Sequence, residues 1–458
     1  MNARTRSLPL PSPAGGDSPQ RGFSLLELVV TLGIVSVVML AALSLVDSGN
    51  ELTRSQSDVA ELQNNQRVAH QEIFRMLHRA GIGGLPESID PTLGGTSTSG
   101  VFPDGLALAV TNNVPANTHI GDMTTPLVAE GSDVLTLRGV FSTPVYFIEP
   151  QQTLTLDSDG KTSVVIRAAA EIGVTQNLET LRKELESAIN ATPPRPEAFI
   201  ARDRFNPGAI AVLELDPAAT VPGNTGDPTL TIGLVLSSND GDQTYADEYG
   251  RMILGTTLLQ GSGGTQLTLP EGGSVQLPRI IGSIGLLEEY RFFVRQEWDV
   301  SGDPTSRPKA VLSRARFYPG TGVLHPSGVI DVSDGVLDLQ VALGVDLPPT
   351  DGRVADGFNA SGLAVDLDED EVLFNDPDDD DGLTPPPGAR SWAVLDAQVV
   401  FARINTVVQA DRPDRGFEGQ DLGTVEDHDL GSSIFNGDAF QKTRKRHLQT
   451  LVKLRNLS

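Results

Sequence analysis

From Phe23 to Val46 the chain reads FSLLELVVTLGIVSVVMLAALSLV, 24 residues whose one charge is Glu27. A helix of about 20 apolar residues crosses a hydrocarbon layer, so this run predicts a membrane-spanning segment. The pattern then narrows to one face. Val59, Leu62, Gln66, Ala69, Ile73, Met76 and Ala80 follow at spacings of three and four, and Gly81 supplies a stop. Joined, the two stretches predict one helix over 23–80, about 87 Å long at 1.5 Å per residue. Ser48-Gly49-Asn50 is the place where it is expected to kink or melt.

After a Gly/Pro/Ser/Thr-rich stretch reaching about Gly100, short β-like runs take over. The clearest are 106–111, 133–140, 144–148, 163–167, 209–215 and 230–236, then 290–294, 310–318, 337–343, 393–403 and 448–455. Between them Leu178, Leu181, Leu185 and Ile189 stand at helical spacing, which predicts an amphipathic helix over 175–190 before Pro193-Pro194. The predicted class is α+β: a long N-terminal spine helix, membrane-spanning in its first half, then a large, mostly antiparallel β-rich head.

Composition supports strands joined by turns, since aromatics are 5% of the chain while Gly (47) and Pro (31) are abundant. With 458 residues and 39% hydrophobic, the chain has the means for at least one sizeable core. Its net charge of −26 disfavours nucleic acid, which requires clustered cations. The absence of cysteine excludes disulfides and thiol chemistry. Arg4, Arg6 and Arg21 precede the apolar run, whereas Asp47, Glu51 and Arg54 follow it. That asymmetry places the N-terminus in the cytoplasm and the rest outside.

The residues just before the run are Arg21-Gly22-Phe23-Ser24-Leu25-Leu26-Glu27, and they resemble the type IV prepilin signature. The resemblance implies a leader over 1–22, cleavage by prepilin peptidase between Gly22 and Phe23, N-methylation of Phe23, and an assembly role for Glu27. The 22-residue leader, with Pro9, Pro11, Pro13 and Pro19, is longer than in many type IVa pilins. A carboxylate in an apolar segment costs roughly 2.5 to 3.5 kcal/mol at the membrane centre. The Phe23 α-amino group of a neighbouring subunit is the partner expected to offset it.

Further features resemble the PilW group of minor pilins. They are His78-Arg79-Ala80-Gly81, Ser132-Asp133-Val134-Leu135-Thr136-Leu137, Tyr290-Arg291-Phe292-Phe293-Val294-Arg295, and Arg444-Lys445-Arg446 followed by Leu451-Val452-Lys453-Leu454-Arg455-Asn456. On this pattern 23–46 is the transmembrane or fibre-core half of the spine and 47–80 the head-packing half. The β-rich head covers 81–345, an acidic Pro/Gly-rich insertion 346–390, and the C-terminal strands 391–458. The stretch around 175–205 also reads as an insertion.

Catalytic signatures do not emerge. Six histidines lie scattered without metal-ligand spacing, and the HExxH, GxSxG and GxxxxGK[ST] patterns are missing, so an enzyme is not expected. The one polar concentration runs from Asp366 to Gly382, where Asp376, Asp378 and Asp380 are candidate Ca²⁺ ligands. In that register Asp381 occupies the place of the EF-hand glycine and Pro387 that of its bidentate glutamate, so a solvated acidic loop explains the run better. Asp157-Ser158-Asp159-Gly160 is a second, shorter candidate.

The expected function is that of a minor type IV pilin in pilus assembly or initiation at the fibre tip, with a role in adhesion or motility. Its partners would be other minor and major pilins, prepilin peptidase and a tip adhesin. It would sit in the inner membrane with a periplasmic head before assembly and in an extracellular pilus afterwards. The alternatives are a minor pseudopilin of type II secretion, a calcium-dependent adhesive tip protein and a membrane-tethered enzyme.

Overall fold

The computed structural model describes residues 24–84, 107–123, 127–152, 161–167, 178–204, 210–219, 228–235, 243–246, 252–254, 267–268, 281–298, 308–319, 322–346, 398–410, 424–425, 428–430 and 443–454. The chain divides into two units, residues 1–57 and 58–458.

Helix α1 spans Leu25–Leu77, 53 residues. It continues through Ser48-Gly49-Asn50, where the sequence predicts a weak point. One glycine costs a helix only about 1 kcal/mol relative to alanine. Thr53 Oγ1 also donates to the Gly49 carbonyl at 2.9 Å. Regular helix stops at Leu77 rather than Ala80 because the last turn tightens: Arg79 N–H reaches the Met76 carbonyl at 2.9 Å and Ala80 N–H the Leu77 carbonyl at 3.1 Å. Gly81 then takes φ +74°, and its N–H donates to the Arg138 carbonyl at 2.9 Å, which passes the chain to the first sheet. Strand residue Gly139 admits this approach, since a Cβ there would lie 2.8 Å from the Arg79 carbonyl oxygen.

The head is organised by an 18-residue strand, Ile281–Trp298. Its C-terminal half pairs with Val134–Gly139 on one side and Pro308–Phe317 on the other. Its N-terminal half pairs with Tyr146–Gln152 and Ala198–Asp203. A second sheet of three strands sets Gln398–Gln409 between Val336–Asp346 and Lys445–Lys453. Among the described pairs all are antiparallel except Met252–Leu254 on Ile210–Leu215, so the mostly antiparallel α+β expectation holds.

The strand expected at 290–294 is the middle of a much longer one, and Leu324–Asp334 was not anticipated. Ala198–Asp203, in the stretch read as an insertion, is an interior strand hydrogen-bonded to Ile281–Trp298 and to Ile210–Leu215. The predicted amphipathic helix is α2, Glu179–Ile189. Residues 347–397, which hold most of the acidic insertion, lie outside the described residues.

Two cores result. In the larger, Leu62, Ala69, Ile73, Met76 and Leu77 of α1 meet Leu135, Phe292, Leu312, Val341 and Ile404, so the second half of α1 seats on residues from both sheets. In the other, Leu181 and Leu185 of α2 pack with Tyr146, Phe199, Leu213 and Leu286.

Candidate functional site

Gly22 and Phe23 lie outside the described residues. Glu27 stands in the first turn of α1, where it completes a reciprocal cap. The Glu27 N–H donates to Ser24 Oγ at 3.2 Å, and the Ser24 N–H donates to Glu27 Oε2 at 3.3 Å. This is the S-x-x-E capping box, which satisfies two helix N–H groups that no preceding turn can serve. A carboxylate there also meets the positive end of the helix dipole. The spacing Ser24-Leu25-Leu26-Glu27 makes this cap legible in the sequence.

From Leu25 to Val46 the large apolar side chains are exposed around the whole circumference. Thr31 and Ser36 turn their hydroxyls back to the carbonyls of Glu27 and Leu32, at 2.6 and 2.8 Å. Such back-bonding satisfies these two hydroxyls in an apolar medium. A helix hydrophobic on all sides belongs in lipid or among other helices. This segment is long and apolar enough to span a membrane.

The head-packing half of α1 carries polar anchors as well as its apolar face. Asn65 donates to the Asp334 carbonyl at 3.2 Å, while its own carbonyl accepts the Ser333 hydroxyl at 2.9 Å. Glu72 pairs with Arg75 at 2.7 Å and with Arg314 of the sheet. The Arg75 hydrogen bond, and to a lesser degree the Arg314 charge, hold its carboxyl below the usual range. His70 Nε2 lies 2.7 Å from Thr406 Oγ1. Burial first, then the nearby His447, lowers the His70 pKa to about 4. Beside this seat, Gln63, Arg67 and Phe74 of α1 and Arg446, Leu448 and Thr450 line an open groove of about 830 Å³.

Two of the other sequence motifs prove to be internal joints. Asp133 is fully buried and accepts the N–H groups of Asn113 at 2.9 Å and Val341 at 2.7 Å, which links the two sheets. In Tyr290-Arg291-Phe292-Phe293-Val294-Arg295 the apolar residues are buried, and Arg291 pairs with the buried Glu289 at 2.6 Å. Of the basic C-terminal motif, residues 444–446 and 451–454 lie in or next to the largely exposed strand Lys445–Lys453, while Arg455 and Asn456 lie outside the described residues. Asp376, Asp378 and Asp380, and Asp157 to Gly160, lie outside the described residues. Of the six histidines, His325 joins Glu184 and Glu197 in a cluster that no spacing could have indicated, because its members are 141 and 128 positions away in sequence.

A family model of the prokaryotic N-terminal methylation motif matches residues 17–43, which bracket Gly22, Phe23 and Glu27. Neither the search of curated proteins nor that of solved structures found a match to the chain. The chain therefore carries a type IV pilin-like prepilin signal, followed by one long apolar helix and a β-rich head. These features support a protein of pilin or pseudopilin type anchored in a membrane. The motif implies processing by prepilin peptidase and assembly with other pilins.

Proposed function

We propose that this chain is a minor type IV pilin that works at the tip or initiation complex of a fibre, as an assembly subunit and not a catalyst. The observation that carries the reading is the prepilin motif on a helix whose apolar first half is exposed among the described residues, joined in sequence to a large head. Residues 81–458 are 378 in number, and a compact body of that length has a radius of gyration of about 21 Å. Packed helix axes lie about 8 to 10 Å apart, so a shaft gives each subunit a narrow sector of surface. Heads of this size would collide if they recurred at every position. Charge supports the same conclusion. Loss of residues 1–22, with three arginines and one aspartate, takes the formal charge from −26 to −28, and closely spaced identical heads would repel.

The likeness of the C-terminal Arg-Asn ending and the His-Arg-Ala-Gly helix end to the PilW group favours a pilus over a secretion pseudopilus. Gold-labelled antibody against the head, applied to sheared fibres, should decorate ends and spare the sides. Dense, regular labelling along the shaft would overturn the tip assignment.

A further inference from the structure

One guanidinium stands among three carboxylates where α2, the residue preceding strand Ala198–Asp203, and the hairpin of Pro308–Phe317 with Leu324–Asp334 converge. Arg316 donates to Glu184 Oε1 at 2.8 Å and to Glu197 Oε2 at 3.2 Å, and its Nε lies 3.4 Å from Glu288 Oε1. Glu288 has compensation of its own, because its Oε2 accepts the backbone N–H groups of Phe141 and Ser142 at 3.0 and 2.5 Å. Glu184 and Glu197 share the guanidinium. Glu197 is only 1% exposed, and its Oε1 has no hydrogen-bond partner among the described residues. A buried carboxylate oxygen left in that state is costly unless a cation meets it.

What faces that oxygen is His325 Nε2, likewise without a hydrogen-bond partner among the described residues, on a residue 6% exposed. The two atoms are 3.3 Å apart, and His325 Nε2 lies 3.7 Å from Glu184 Oε1. Ligands held about 2.0 to 2.1 Å from a tetrahedral ion stand about 3.3 Å from one another, so these separations suit a single ion between the three side chains. At its other nitrogen, His325 Nδ1 lies 2.9 Å from Ser327 Oγ, which accepts a hydrogen bond from Nδ1–H in the tautomer that leaves Nε2 free to coordinate. The Ser327 backbone N–H also approaches Nδ1, at 3.1 Å, and that contact gives way when the ring turns donor.

We propose that Glu184, Glu197 and His325 bind a first-row divalent cation, Zn²⁺ fitting best, and so tie α2 to the hairpin of the main sheet. The donor set excludes a preference for Ca²⁺ or Mg²⁺, which take six or more oxygens or an octahedral shell rich in water. Glu184 is 30% exposed on its side chain and provides the way in. The site is independent of the pilus reading, since it depends on head residues alone.

The test uses the full-length chain in detergent, stripped with EDTA and titrated with Zn²⁺. One equivalent should raise the melting temperature, and Co²⁺ in its place should give the visible absorption of a low-symmetry four-coordinate ion. Glu197→Gln and His325→Gln should weaken binding at least tenfold, while His447→Gln, whose ring lies 2.9 Å from Asn405 Oδ1 and belongs to another sheet, should bind as wild type. Should the two site variants fail to fold, X-ray absorption of the wild-type Zn²⁺ form must find one imidazole and carboxylate oxygens about the metal. No response of the wild type to Zn²⁺, an equal response to Ca²⁺, unaltered binding by the site variants, or a shell without imidazole would each overturn the proposal.

Discussion

A carboxylate at the start of an apolar helix has to be satisfied twice, in the bilayer before assembly and beside a neighbouring helix after it. The Ser24–Glu27 cap meets the first demand; under the proposed function, the Phe23 amine of the next subunit would meet the second. Two variants separate them. Ser24→Ala removes the hydroxyl, costs the helix start about 1 kcal/mol, and should still enter fibres because the carboxylate remains. Glu27→Leu should enter the membrane readily yet be scarce in sheared fibres, as blotting of the two fractions would reveal. Equal loss from fibres in both variants would mean that Glu27 acts through the cap. Upstream, a bulky residue at Gly22 should leave a precursor that retains the 22-residue leader, whereas wild-type N-terminal sequencing should begin at Phe23. His70 adds a pH dependence. Its folded pKa of about 4 lies below the ordinary 6.5, so between those values the unfolded chain binds a proton that the folded chain refuses. Stability should therefore fall as pH drops from about 6.5 to 4, by at most about 3 kcal/mol, and His70→Gln should flatten that slope in melting curves.

At the scale of elements, α1 has two halves with different physics. Ile73 is fully buried in the larger core, so Ile73→Ala should destabilise the head by about 2 to 5 kcal/mol. Leu40→Ala, on the exposed apolar half, should leave denaturant unfolding of the head within about 0.5 kcal/mol of wild type. A similar loss from both would show that the halves are not independent. Periodicity made this division legible, and it located α2 and most strands. Where it failed, the cause is local. In Leu324–Asp334, Pro326 and Gly328 interrupt the pattern, and register shifts mark the pairing with Pro308–Phe317. The first half of Ile281–Trp298 holds Gly282 and Gly285, which read as turn residues. A Cβ at Gly285 would lie 2.6 Å from Val140 Cγ2, so that glycine serves close packing instead. Glu288 and Glu289 then read as surface, yet both are fully buried, Glu289 because Arg138 and Arg291 reach it at 2.7 and 2.6 Å.

At the scale of the whole molecule, the system that this subunit serves is separable by loss of function. A strain lacking the chain should lose surface fibres while it secretes type II substrates normally, as electron microscopy and culture supernatants would record. The opposite outcome would identify a pseudopilin. The sequence by itself determined the prepilin motif, the apolar helix, the one-faced stripe that follows and the β-rich class of the head. Each of these is a local property, carried by neighbours within a turn or a strand and read through solvent preference or backbone periodicity. Tertiary structure alone decided which glutamates are buried, that Asp133 joins two sheets, and that Glu184, Glu197, Arg316 and His325 converge. The reason is physical: the energy of a buried charge depends on partners brought near by long-range strand pairing, and residues more than a hundred positions apart leave no periodic trace of that meeting.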